Sequence, residues 1–261
     1  MLFVEMMNKK IQMFRLKIKY LLSGNQNVVK KAFDDMENQG IKNIPIFIIS
    51  FNRLSYIISI IEYLEKSGYR NIHIIDNNSS YPPLLRYYEE IPYEVIKLDY
   101  NGGHMVFWND SRFEKYRNSF YVLTDPDILP VEEFPDDFLE KWFNILKKYP
   151  YVRKVGFSLR IDDLPTNAIS NDVTVNWEKQ FWNIKINEDN MYYADIDTTM
   201  ALYMPDNCNN ANFYRAFRTG FPYQARHLPW YKTVNDITEE DVYYSKLNKF
   251  GTWDIPKDYE K

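Results

Sequence analysis

Cysteine is almost missing from this 261-residue chain, which holds one, Cys208. A single thiol excludes an internal disulfide and a cysteine-rich zinc site. A reducing cytoplasm is therefore the expected home. Long apolar runs are missing too, and none reaches the roughly 18 residues that a membrane span needs. The first seven residues are apolar, but basic residues follow them rather than precede them, so no signal peptide is expected. Nor is there a basic excess: the formal charge of −4 argues against nucleic-acid binding as the main task, because phosphate contacts need a basic footprint. No internal repeat, low-complexity tract or Gly/Ser linker divides the chain into independently folding parts.

What is present is an ordinary hydrophobic share of 45% and a large aromatic one, with 22 Tyr, 17 Phe and 6 Trp. Exposed aromatic faces stack on sugars or bases, which fits a carbohydrate site, although a low-GC genome produces the same bias. Charge is unevenly spread. Residues 1–43 carry eight Lys or Arg against Glu5, Asp34, Asp35 and Glu37, a surplus of four, so the remainder carries −8. Within this N-terminal helical extension Ile11, Phe14, Ile18 and Leu21 recur at helical spacing, with Lys9, Lys10, Arg15, Lys17 and Lys19 between them. Such a helix either lies on an anionic membrane surface, through residues 1–25, or packs on the catalytic domain or a neighbouring subunit.

From residue 44 the pattern alternates. Ile44–Ser50 predicts a strand, Tyr56–Lys66 a helix carrying Ile57, Ile60, Ile61 and Leu64, and Asn71–Asp76 a second strand, the signature of a parallel βαβ unit. Leu84–Glu90 predicts a helix, and Tyr93–Leu98, Phe120–Thr124 and Lys154–Leu159 predict further strands. Phe138–Lys148 and Thr238–Asn248 predict helices. Tyr192–Tyr203 predicts a strand holding Asp195 and Asp197 on one face. The expected class is α/β, a mostly parallel Rossmann-like sheet flanked by helices. In such sheets ligands collect at the carboxyl ends of strands, where Ser50, Asp76, Asn101 and Asp125 all fall.

Asp125-Pro126-Asp127 is the sharpest feature. Two carboxylates one residue apart after a buried strand suit a hard cation, Mg²⁺ or Mn²⁺, shared with substrate phosphates. The order Ser50-Phe-Asn52-Arg53, Ile75-Asp76-Asn77-Asn78-Ser79, Asn101-Gly102-Gly103 and Thr124-Asp125-Pro126-Asp127 resembles glycosyltransferases of the GT-A fold. It looks closest to the family 2-like bacterial enzymes of capsule and O-antigen synthesis. The likeness runs over residues 44–130, the nucleotide-sugar half of a catalytic domain spanning 44–261. Residues 131–261 form the acceptor half.

The resemblance implies a metal-dependent transfer from a nucleoside-diphosphate sugar, a UDP-sugar foremost, to a glycan or lipid-linked glycan. It implies that Ser50, Asn52, Asp76 and Asn77 hold the nucleotide, with Asn101, Gly102 and Thr124 lining nucleotide and sugar. Asp125 would approach the ribose or a metal-bound water, and Asp127 would ligate the metal. His227, in Arg226-His227-Leu-Pro-Trp230, would complete the metal shell as a neutral imidazole. Arg226 would grip the diphosphate.

Each residue also has a plainer reading. Asp76 caps a turn, Asn101-Gly102 is a turn dipeptide, Arg53, a candidate to reach a phosphate of the nucleotide-sugar, is instead a solvated helix start, and His227 is a buried histidine satisfied by a carbonyl. An inverting transfer needs a carboxylate to take the acceptor's proton. Asp197 and Asp195 come first, then Glu240 and Asp241, with Glu178 last. Thr238 followed by acids is also a helix N-cap. Trp177, Trp182 and Trp230, with Glu178, are candidates for the acceptor site. A nucleotidyltransferase would share the sheet but want a Gly-rich loop after the first strand, and a non-catalytic carbohydrate-binding protein would leave the strand-end acids unexplained.

Overall fold

The computed structural model describes residues 2–131, 135–169, 171–186, 190–205 and 216–248, and Cys208 lies outside them. Helices α1 (Leu2–Leu22) and α2 (Gln26–Gln39) precede the first strand. The predicted alternation follows: β1 (Ile46–Ser50), α3 (Leu54–Lys66), β2 (Ile72–Asp76), α4 (Pro82–Glu90) and β3 (Glu94–Lys97). Short helices α5 (Val106–Asn109) and α6 (Glu114–Arg117) lead into β4 (Tyr121–Thr124), β5 (Ile128–Pro130), α7 (Phe138–Lys148) and β6 (Lys154–Leu159). The rest comprises α8 (Asn171–Glu178), β7 (Lys185–Ile186), β8 (Met191–Tyr193), β9 (Ala201–Tyr203), β10 (Ala216–His227) and α9 (Glu239–Leu247).

These strands make one mixed sheet in the order β3-β2-β1-β4-β9-β6-β10-β8-β7, with β5 on β10. The first four positions are parallel throughout. Strand β9 then runs antiparallel between β4 and β6, and β10 is parallel to β6. The chain is therefore α/β and Rossmann-like in its first half, with antiparallel strands added beyond β4. A strand's period of two splits its residues between two cores. Ile46 and Ile48 of β1 join Ile57, Ile60 and Leu64 on one face, while Phe47 and Ile49 join Val106, Phe107 and Phe113 on the other.

The N-terminal extension is only partly an appendage. In α2, Phe33 and Met36 are buried, and the Phe33 ring centroid lies 5.0 Å from those of both Phe120 and Phe143. In α1, Met13 and Leu16 touch the same core while the helix otherwise stands on the surface.

One predicted element is corrected. Tyr192–Tyr203 is not a single strand but two, β8 and β9, joined by residues 194–200. The first part pairs with β10, and the chain then crosses to insert between β4 and β6. The Asp125 amide bonds the Thr198 carbonyl at 3.0 Å, and the Phe157 amide bonds Met200 at 3.1 Å. Gly156 permits this insertion: a Cβ there would lie 2.4 Å from the Met200 carbonyl oxygen.

Candidate active site

Strand β4 ends at Thr124, whose hydroxyl donates to the Asp125 carbonyl at 2.8 Å. The chain then turns through Asp125-Pro126-Asp127 into β5. Because β5 pairs antiparallel with β10, Ile128 stands opposite His227. That ladder sets two residues a hundred positions apart side by side, with His227 Nε2 3.4 Å from Asp127 Oδ2. The Leu228 amide secures the junction by donating to the Asp127 carbonyl at 2.8 Å. Asp127 Oδ1 and His227 Nδ1 are both buried with no hydrogen-bond partner. Buried polar atoms are nearly always paired, so an orphan on each of two adjoining side chains marks a place built for something else. Burial holds the His227 imidazole below its ordinary pKa, against the pull of Asp127 and Asp197, so the ring is neutral. The carbonyl-satisfied histidine of the plainer reading is not what the structure holds.

Asp125 faces the same place. Its carboxylate accepts a hydrogen bond from the Thr198 hydroxyl. Burial, then the Asp127 carboxylate, raise the Asp125 carboxyl well above the usual range, and Asp197 adds to the effect. The charges of Asp127 and Asp197 thus reach both Asp125 and the neutral His227 ring. Among the described residues no group of three or more His, Cys, Asp or Glu forms a ready-made metal cage. A hard cation that keeps its waters and takes phosphate oxygens needs only one or two protein ligands. The donor set fits such an ion.

No family model matches the chain. No curated protein matches it either. The site must therefore be read from its own geometry.

The segment between β8 and β9 presents the other two acids. They do not alternate on a strand as expected. The Asp197 carboxylate accepts from the Thr199 amide at 3.1 Å and hydroxyl at 3.0 Å. The residue is exposed to solvent, and although the protein around it desolvates its carboxyl and pushes it up, Arg218, the Thr199 donors and Lys154 outweigh that and hold it below the usual range. Asp195 is half-exposed and raised by burial, with Lys9 of α1 the largest opposing charge. Arg218 supports the segment from beneath, donating from Nε to the Asp195 carbonyl at 2.7 Å and from Nη1 to buried Glu178 at 2.5 Å. Lys154 Nζ donates to the Ile196 carbonyl at 2.5 Å. Burial lowers this ammonium to about 7.

Other predicted site residues face the protein. Ser50 and Asp76 are buried, and the Tyr88 hydroxyl lies 2.9 Å from Ser50 Oγ and 3.2 Å from Asp76 Oδ1, its single proton serving one of the two. The Ser79 amide donates to Asp76 Oδ2 at 3.1 Å, which is the turn-capping reading. Asn52 sits at φ 52°, and its Oδ1 accepts from the Ser80 and Tyr81 amides, tying the β1 turn to the β2 turn. Its Nδ2 is buried without a partner. Asn77 accepts from the Gly102 amide and donates to the Gly103 carbonyl, both at 3.2 Å, and so fixes the Asn101–Gly103 turn. The Asn101 side chain in turn accepts from the Gly103 amide at 2.9 Å.

Five expectations are corrected. Arg53 is not solvated: it is buried, donates to Asp241 at 2.5 Å, and its guanidinium lies 3.7 Å from the Tyr244 ring centroid. Glu240 and Asp241 do not present free carboxylates. Glu240 accepts from the Ser55 amide and hydroxyl at the start of α3, while Asp241 closes a capping box with Thr238 and pairs with Arg53 and Lys232. Non-local partners, which helix propensity cannot reveal, claim both acids: the Ser55 donors for Glu240 and the Arg53 charge for Asp241. Trp230 is no open platform, being 3% exposed and packed in the core beside His227. Glu178 is likewise buried against Arg218, which leaves Trp177, 54% exposed, as the open ring of that set. Trp182 is half-buried with its ring 5.0 Å from Tyr192. Arg226 donates to Asp163 Oδ2 from Nε at 2.9 Å and from Nη2 at 2.7 Å, so the fork offered to a diphosphate is engaged by a carboxylate.

Sequence reasoning missed Thr198, Arg218 and Tyr56. The sequence signal for Arg218 is a cation within the buried first half of β10. Tyr56 carries a buried hydroxyl with no partner, close enough to Asp127 and to the Glu240–Asp241 pair to feel all three charges.

Proposed function

We propose that this protein transfers a sugar from a nucleoside-diphosphate sugar, a UDP-sugar foremost, to a glycan or lipid-linked acceptor, with Mg²⁺ or Mn²⁺ as cofactor. The observation that carries the reading is the convergence of Asp125, Asp127 and His227 beyond β4, with Asp127 Oδ1 and His227 Nδ1 buried and unpaired. Asp127 and His227 would hold the cation, and Asp125 would meet a water on it or the ribose. The cation would neutralise charge on the departing diphosphate. Asn52 and the Asn101–Gly103 turn, fixed by Asn77, orient the nucleotide. Asp195, half-exposed and raised by burial, accepts the acceptor hydroxyl's proton, because a base works best when its pKa approaches the working pH. Asp197, held below the usual carboxylate range, stays ionised, and Trp177 offers a face to the acceptor ring.

The GT-A family 2-like assignment, the capsule or O-antigen pathway and the cytoplasmic location belong to this proposal. A nucleotidyltransferase lacks its glycine loop here, since Ser50-Phe51-Asn52-Arg53 contains none. The test is thermal unfolding with UDP, GDP, CDP and dTDP, each with and without Mn²⁺. Because a ligand stabilises the state that it binds, one diphosphate should raise Tm only when Mn²⁺ is present. No Mn²⁺-dependent shift with any of the four would overturn the reading.

A further inference from the structure

Helix α1 carries two apolar stripes. Met13 and Leu16 face the body and pack on its core. On the opposite side, about 180° around the helix, Met7, Ile11, Phe14, Ile18, Leu21 and Leu22 are all exposed, with Phe14 at 62% and Leu22 at 81%. Six apolar side chains on one open stripe exceed the scatter of single exposed residues that a protein surface normally shows.

The flanks of that stripe identify what covers it. Lys10 and Lys17 border one edge, and Arg15 and Lys19 border the other. No acid lies on either edge between Met7 and Leu22. The 7, 11, 14, 18, 21 spacing would also serve a coiled coil with a second copy of the chain. In that pairing Lys10 and Lys17 fall at one flanking position, with Arg15 at the other, so like charges would meet across a homodimer. A surface that is apolar within and anionic above suits both features at once. No described helix is long and apolar enough to cross a membrane.

We propose that α1 lies flat on an anionic lipid bilayer, its Met7–Leu22 stripe sunk among the acyl chains and its four flanking cations at the headgroups. Long Lys and Arg stems reach such a plane while their apolar parts stay buried. The body hangs from the stripe's opposite face. The docking does not depend on the proposed chemistry.

Flotation with liposomes of phosphatidylcholine, alone or with 30 mol% phosphatidylglycerol (about that share reproduces an anionic leaflet), tests this on the full chain. Wild type should float with the anionic liposomes at low salt and remain behind with the neutral ones. Lys10→Gln/Lys17→Gln should lower the anionic partition about thirty-fold, the product of two contributions of about 1 kcal/mol each. Phe14→Ser/Ile18→Ser, both at exposed positions, should abolish flotation without changing Tm. A wild type that ignores anionic liposomes at low salt overturns the proposal. So does flotation unaffected by either double variant, or sedimentation showing a dimer that Phe14→Ser/Ile18→Ser dissolves while liposomes stay unbound.

Discussion

Asp241→Ala separates scaffold from chemistry at the acidic start of α9. In the wild type the Asp241 carboxylate is 1% exposed, receives Arg53 at 2.5 Å, and is bonded by Lys232 and by the Thr238 amide and hydroxyl. Those donors hold its carboxyl below the usual range, against burial. Alanine strands a guanidinium that is itself only 9% exposed and removes half of the α9 capping box. Breaking one side of a buried pair costs about 3–5 kcal/mol, and losing a cap costs about 1 kcal/mol. For a chain of this size 1 kcal/mol moves Tm by about 2–4 °C, so a fall of roughly 10 °C or more is expected. Differential scanning calorimetry measures it. Arg53→Leu/Asp241→Leu, which removes both charges, should recover much of the loss because no buried charge is left unpaired. Mn²⁺-dependent nucleotide binding should survive in the double variant below its own Tm. An unchanged Tm in Asp241→Ala together with lost turnover would refute the argument and return Asp241 to proton transfer.

Two further outcomes follow from the support beneath the Asp195–Thr199 segment. Burial raises Glu178 to about 7, Arg218 opposing, whereas an unfolded chain leaves a Glu near 4.3. The folded state therefore binds the extra proton between those values, so this contribution to stability is complete below the unfolded pKa and is lost as pH rises towards 7. Urea unfolding should show a component of up to about 1.4 kcal/mol per pH unit in that window. In Glu178→Gln that component should vanish, and an unaltered slope would contradict the burial argument. Gly156→Ala should cost about 1–3 kcal/mol, since its Cβ would meet the Met200 carbonyl oxygen at 2.4 Å and the Ala201 Cβ at 2.6 Å. Its displaced β9 should also weaken Mn²⁺-linked UDP binding, and a variant as stable as wild type would show that the close approach is not needed.

Much of the architecture was legible because local pattern and tertiary context agree over residues 44–159. Strands β1, β2 and β4 are short apolar runs buried on both faces, and α3 repeats its apolar residues at helical spacing, so periodicity alone placed them. The carboxyl ends of those strands then located Asp125 and Asp127. His227 was legible as a residue type, while its position beside Asp127 depends on the β5–β10 ladder, which no local pattern announces. The failures share that cause. Asp195 and Asp197 look like alternating strand residues, but their segment exchanges β10 for a place between β4 and β6. Arg53 looks like a solvated helix start, but its partner lies 188 residues away. Trp230 and Glu178 look like acceptor contacts, and only packing shows that both point inward. The extension mixed two signals in one helix: one apolar stripe closes on the core and another does not.

The central claim is that Asp127 and His227 hold a divalent cation against a nucleoside diphosphate. Mn²⁺ binding followed by electron paramagnetic resonance, with saturating UDP, tests it on wild type, Asp127→Asn and His227→Ala. Asp127 Oδ1 and His227 Nδ1, buried without hydrogen-bond partners on adjoining side chains, predict one tight Mn²⁺ in the wild type. Each variant should bind at least about tenfold more weakly, the lower end of the loss expected when a contact essential to a metal site is removed, while its Tm without ligand stays within a few degrees of wild type. Equal Mn²⁺ affinity in all three proteins would contradict the account.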